Sequence, residues 1–158
     1  GLGILRPVEL FRAIGDQVRG RLMEAFRWRR GEGAFVRGAR SHEETFPMGQ
    51  DPYEILRDAA REAHLEEIES VLEPLRERIV ERCPDGPALS AFRLEPGWVR
   101  VLDAVSGDTT LGGVLAREGA AGSDLEPVYR ALYLGLACGL VRTRVNPSEI
   151  PYRESFTA

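Results

Sequence analysis

Helix punctuation constrains this chain more than any other feature. Asp51-Pro52-Tyr53-Glu54 sets an N-cap acid, a proline at the first helical position and a glutamate at the third. Thr110 stands as a cap before Leu111 to Glu118, with Gly119 behind, and Ser123-Asp124-Leu125-Glu126 is a capping box. Pro7 is acceptable as the first residue of another helix. These marks point to a mostly α chain with a small hairpin.

Between these marks the apolar spacing predicts the elements. Phe11, Ile14, Val18, Leu22 and Phe26 recur every three or four residues, with Arg12, Asp16, Arg19 and Arg27 opposite. An amphipathic helix of about six turns over Val8 to Arg30 follows, stopped by Gly31 and Gly33. Gly33–Arg37 and Glu44–Met48 read as a small β-hairpin, with the rings of Trp28 and Phe35 buried at the corner. From Ile55 the helical spacing runs through Leu72 to Ile79, with a kink at Pro74. Cys83-Pro84-Asp85-Gly86-Pro87 is a turn and the best internal boundary.

Beyond it, Ser90–Leu94 reads as a short strand and Pro96–Val105 as a helix burying Trp98, Val101, Leu102 and Val105. The last helix shows Leu125, Tyr129, Leu132, Leu136 and Leu140 as its core face, closes at Gly139 and leads into an alternating strand, Leu140–Val145. Three helices and a strand have the cadence of a winged-helix domain. The expectation is a mainly α (α+β) fold. Long amphipathic helices and a hairpin occupy 1–83, a winged-helix-like three-helix unit 84–146, and an extended tail 147–158.

Composition removes several functions. The 158 residues are 43% hydrophobic, enough for a real core, and carry a net charge of −4, which argues against a general polyanion binder. No apolar run reaches membrane-spanning length. Two cysteines, Cys83 and Cys138, suit a reducing cytoplasm rather than a disulfide scaffold. His42 and His64 lack metal-ligand spacing, and the glycines at 31, 33, 112 and 113 fit no phosphate or dinucleotide loop. Gly112-Gly113 reads instead as room for close packing. No residue is nominated for catalysis, and no cofactor or metal is expected.

All 21 basic residues are arginines, which points to a bacterium with a GC-rich genome. The opening Gly1-Leu2-Gly3 reads as a piece of a larger protein. Residues 1–40 hold nine arginines against four acids, net +5, and the remainder is net −9. Arg27, Arg29, Arg30, Arg37 and Arg40 gather near the end of the first helix. Two uses are open: pairing with the acidic helix that begins at Asp51, or docking an acidic partner. DNA binding is the alternative suggested by the winged-helix cadence. It is weakened because the third helix carries Asp124 and Glu126 against Arg130, leaving Arg142 and Arg144 on the strand for a backbone.

Leu5-x-Pro7-x-Glu9-Leu10, Gln17-Val18, Leu22 and Phe26-x-Trp28-x-x-Gly31-x-Gly33-x-Phe35 resemble the second half of a PATAN-type module. This bacterial domain is named from the N-terminus of a cyanobacterial cell-patterning regulator. Val101-Leu102-Asp103, Gly107, Thr110-Leu111, Leu132-Tyr133 and Gly139-Leu140-Val141 resemble the helical tail of such modules in myxobacterial proteins. The glycine-bounded strands that open the module are missing. The resemblance implies a non-catalytic protein–protein interaction domain of two-component signalling or motility complexes, often beside a receiver domain. It brings no catalytic residues with it.

Overall fold

The computed structural model describes residues 6–28, 32, 34, 36–38, 49–122 and 124–146. Among these, the elements are α1 (Pro7–Ala25), α2 (Pro52–Glu62), α3 (Leu65–Leu72), β1 (Ile79–Arg82), α4 (Pro96–Asp103), β2 (Thr109–Thr110), α5 (Leu111–Ala120), α6 (Leu125–Ala137) and β3 (Val141–Arg144). The protein is mainly α with one small antiparallel sheet, as the punctuation predicts. Two caps behave as written: Asp51 Oδ1 accepts from the Tyr53 N–H at 2.9 Å and Thr110 Oγ1 from Gly113 at 3.1 Å. In place of the expected capping box, Asp124 is the N-cap of α6, its Oδ1 accepting from the Glu126 N–H at 3.1 Å. Gly139 closes α6 in the left-handed region (φ +67°), and the Leu140 N–H returns to the Gly135 carbonyl at 2.8 Å.

Helices α4, α5 and α6 followed by β3 keep the expected order. The sheet, however, runs β2-β1-β3, so its central strand comes from before those helices. β1 corrects the reading of a kinked helix to Ile79. α3 ends at Leu72, a 3₁₀ turn spans Glu73–Leu75, and Ile79 opens a strand paired with Thr110 on one side and Arg144 on the other. Two remote strands recruit its backbone groups, which local spacing cannot announce. Ser90–Leu94 is corrected likewise. Leu89–Phe92 is a 3₁₀ turn that drives Phe92 fully into the core.

The break between α2 and α3 also has a remote cause. Ala63 and His64 are both extended, and Arg130 Nη1 donates to the Ala60 and Ala63 carbonyls at 2.9 and 2.8 Å. An arginine on α6 thus satisfies the carbonyls that the end of α2 leaves open.

One apolar cluster unites the chain. Ile68, Leu72 and Val80 pack with Phe92, Val101, Leu102, Leu132 and Leu140. Residues on both sides of the Cys83–Pro87 turn thus contribute to this cluster and to the sheet. α6 lies at the centre, against α2, α3, α4, α5 and β3. Of its 13 residues only Glu126 and Ala137 are exposed. Its buried set is Val128, Ala131, Leu132, Leu134 and Gly135, whereas the expected Leu125, Tyr129 and Leu136 are half-buried. A helix covered from several sides has no single apolar stripe to read.

The N-terminal helix departs most from expectation. α1 ends at Ala25, not Arg30, and only Gly15 is buried. Phe11, Ile14, Leu22 and Phe26 keep 40–51% of their surface exposed. Trp28 is 69% exposed, so the buried-corner reading fails for it. Ala34, Val36 and Arg37 are not in a strand. Gly33, Phe35 and Glu44–Met48 of the expected hairpin lie outside the described residues, as does the tail 147–158.

Candidate functional site

The end of α1 leans over α2, α3 and α6, and the space between them is incompletely filled. A cavity of about 90 Å³ lies beneath Met23, Phe26 and Arg27, with Leu56, Ala59, Ala60 and Ala63 of the α2 side and Leu134, Ala137 and Cys138 of the α6 side as its other walls. It continues into an open groove between the end of α1 and α3, bordered by Phe26, Trp28, Ser70, Val71 and Tyr133. Trp28, Phe26 and Val71 are 69, 51 and 49% exposed, so this rim is apolar and open to solvent. The sequence pattern assigns Phe26 and Trp28 to the buried side of a helix and its corner, and singles out neither Val71 nor Tyr133 for a site. Their juxtaposition depends on how α3 and α6 pack.

Polar contacts hold α1 to this seat. Arg27 Nη2 donates to Glu62 Oε2 at 3.0 Å, and both side chains are largely exposed. Arg19 pairs with Asp58, and Gln50 Nε2 donates to the Gly15 carbonyl at 3.3 Å. Asp58 also accepts from Arg57 Nε at 2.8 Å and faces Arg61 Nη1 at 3.6 Å. Burial pushes its carboxyl up, but the Arg57 hydrogen bond and the charges of Arg57, Arg19 and Arg61 outweigh that, and the group sits below the usual aspartate value. Arg57 is raised in turn, first by its hydrogen bond to Asp58.

Of the arginines singled out from the sequence, Arg27 is paired with α2 and Arg37 is exposed in a turn. Arg29, Arg30 and Arg40 lie outside the described residues. The arginines considered for a nucleic-acid backbone have internal partners. Arg130 Nη2 meets Glu126 Oε1 at 2.8 Å while its Nη1 caps α2. Arg142 Nε and Arg144 Nε hold the two oxygens of Glu81 at 2.7 and 3.1 Å. The Arg142 hydrogen bond, with Arg144 beside it, keeps the Glu81 carboxyl below its usual range.

The remaining candidates are quiet. His64 is exposed at the start of α3, and Cys138 is half-buried in the cavity wall, where burial raises its thiol. Among the described residues no group of three His, Cys, Asp or Glu is arranged to hold a metal, and no helix is long and apolar enough to cross a membrane. No family model, no curated protein and no solved structure matches the chain.

Proposed function

We propose that this chain is a non-catalytic docking domain, a regulatory part of a larger cytoplasmic signalling protein in a bacterium, and that it binds a protein partner at the groove beside α1. The observation that carries this reading is the exposed rim of Phe26, Trp28 and Val71 over a Tyr133 floor. Tryptophan, tyrosine and arginine around a depression are the side chains that dominate binding energy in protein interfaces. Arg27 borders the groove, and Arg29, Arg30, Arg37 and Arg40 are the further cationic candidates offered by the sequence. The Arg27–Glu62 pair is exposed and worth about 0–1 kcal/mol, so a partner carboxylate competes for it at little cost. The signalling context rests on the PATAN-type resemblance.

DNA reading is the weaker alternative. α6, the helix that would enter a groove, has Glu126 and Ala137 exposed and its other residues half-buried or buried, and Arg130, Arg142 and Arg144 are already engaged. A photo-crosslinking residue placed at position 28 in cells tests the docking reading, with position 103 as control. A discrete protein adduct at 28 that Val71→Asp abolishes is expected, and Arg29→Glu with Arg37→Glu should weaken it without unfolding the chain. Equal labelling at both positions, or DNA binding tighter than about micromolar at low salt, overturns the reading.

A further inference from the structure

We propose that α1 is a lid held by ion pairs, which leaves its seat while the rest of the molecule stays folded and uncovers the cavity beneath Met23 and Phe26. Of the 19 residues of α1 only Gly15 is buried, against five of 13 in α6. Phe11, Ile14 and Leu22 already show 40–47% of their surface to solvent, so the helix is seated by half-buried side chains and by none that is fully dry. The apolar contribution to its seating is correspondingly smaller than that of a core helix such as α6. The void of about 90 Å³ between α1 and the α2–α6 surface removes dispersion contacts that a tightly seated helix would make.

The specific contacts that fix the helix in its seat include the Arg19–Asp58 and Arg27–Glu62 pairs and the Gln50–Gly15 hydrogen bond. Its departure strands no charge in the body. Asp58 keeps Arg57 at 2.8 Å and Arg61 at 3.6 Å after Arg19 has gone. The released arginines and Glu62 pass into water. Elements with few buried contacts open first in native proteins, and such an opening leaves the main core intact. The lid covers the wall formed by Leu56, Ala59, Ala137 and Cys138. Phe26 and Trp28 close this helix and border the groove. That opening dismantles the docking groove rests on the reading above, but the motion itself needs no partner.

Cys138 reports the motion, because it lines the covered cavity. In the full chain carrying Cys83→Ser, the rate of thiol reaction with a maleimide is followed under native conditions. Raising salt from 0.1 to 1 M shortens the screening length from about 10 to 3 Å and is expected to speed labelling several-fold. Arg19→Gln with Arg27→Gln should speed it at least tenfold and abolish the salt effect, while the main melting transition stays in place. Native-state hydrogen exchange of the unaltered chain provides a second measure: α1 amides should exchange through an opening with weak denaturant dependence, well ahead of α6. Labelling unchanged by salt and by the double variant, exchange of α1 in step with α6, or a double variant that melts as a whole would each overturn the lid. The crosslinking experiment at position 28 is read separately, so a rigid α1 and an absent partner give different results.

Discussion

At the scale of single residues, identity proved a poor guide to role where solvent exposure was concerned. The chain has two tryptophans; Trp98 is 4% exposed and Trp28 69%. Trp28→Ala is expected to shift unfolding stability by less than about 0.5 kcal/mol in urea titrations, as surface changes do. Phe92→Ala, at a fully buried ring, should cost about 3–5 kcal/mol in the same measurement. Arg130 is the residue whose importance is least visible in the sequence. Its side chain is 13% exposed and spans Glu126 and two α2 carbonyls. Arg130→Met leaves those carbonyls without a donor, and a loss of about 2–4 kcal/mol is expected. Arg130→Lys should recover only part of it, since a point charge cannot reproduce the fork. Gly86 is equally specific: a Cβ there would lie 2.2 Å from the Gly139 carbonyl oxygen, so Gly86→Ala should lower the melting temperature where no side chain is lost.

At the scale of elements, α1 and α6 mark the two extremes. α1 is set by local signals, Pro7 at its start and the Glu9 carboxylate on the Arg6 N–H at 2.8 Å, yet it contributes almost nothing to the core. Gly20 in its middle meets nothing within 4 Å of an added Cβ. Gly20→Ala is therefore expected to strengthen α1 by about 1 kcal/mol, seen as slower amide exchange confined to that helix. Seating of α1 also carries a pH signature. Against burial, Asp58 is depressed in the folded state, first by Arg57 of its own helix and then by Arg19, so the Arg19 share alone belongs to α1. That share is complete above the unfolded aspartate value of about 4 and is lost as pH falls through the lower folded value. Protection of α1 amides should be flat between pH 5 and 8 and fall in acid; Asp58→Asn should shrink that acid step.

At the scale of the whole molecule, connectivity matters more than the apparent boundary. β1 stands before the Cys83–Pro87 turn and its partners β2 and β3 after it. Fragments 1–83 and 84–146 are expected to show no cooperative melt, because each lacks a strand or strands that the other holds. Intact, α2 to β3 should melt in one calorimetric transition, with α1 loosening at lower temperature. The candidate groove is a product of the same connectivity. Phe26 and Trp28 were legible as aromatic residues closing a helix, but their neighbours Val71 and Tyr133 are brought beside them only by the packing of α3 on α6.

Signals acting over three or four residues were enough to determine where α2, α4, α5 and α6 begin, where Gly139 stops α6, and that the chain is mainly α. Capping bonds and proline geometry involve neighbours in sequence, so their outcome needs no knowledge of the fold. Tertiary structure alone decided that Ile79–Arg82 is a strand, that α2 breaks at Ala63, which sides of α6 are buried and how little of α1 is. Each of those outcomes turns on a partner between about 30 and 70 residues away: Thr110 and Arg144 for β1, Arg130 for α2, and the α2 carboxylates Asp58 and Glu62 for α1. A backbone segment or an apolar face has no fixed role until such a partner satisfies it or covers it.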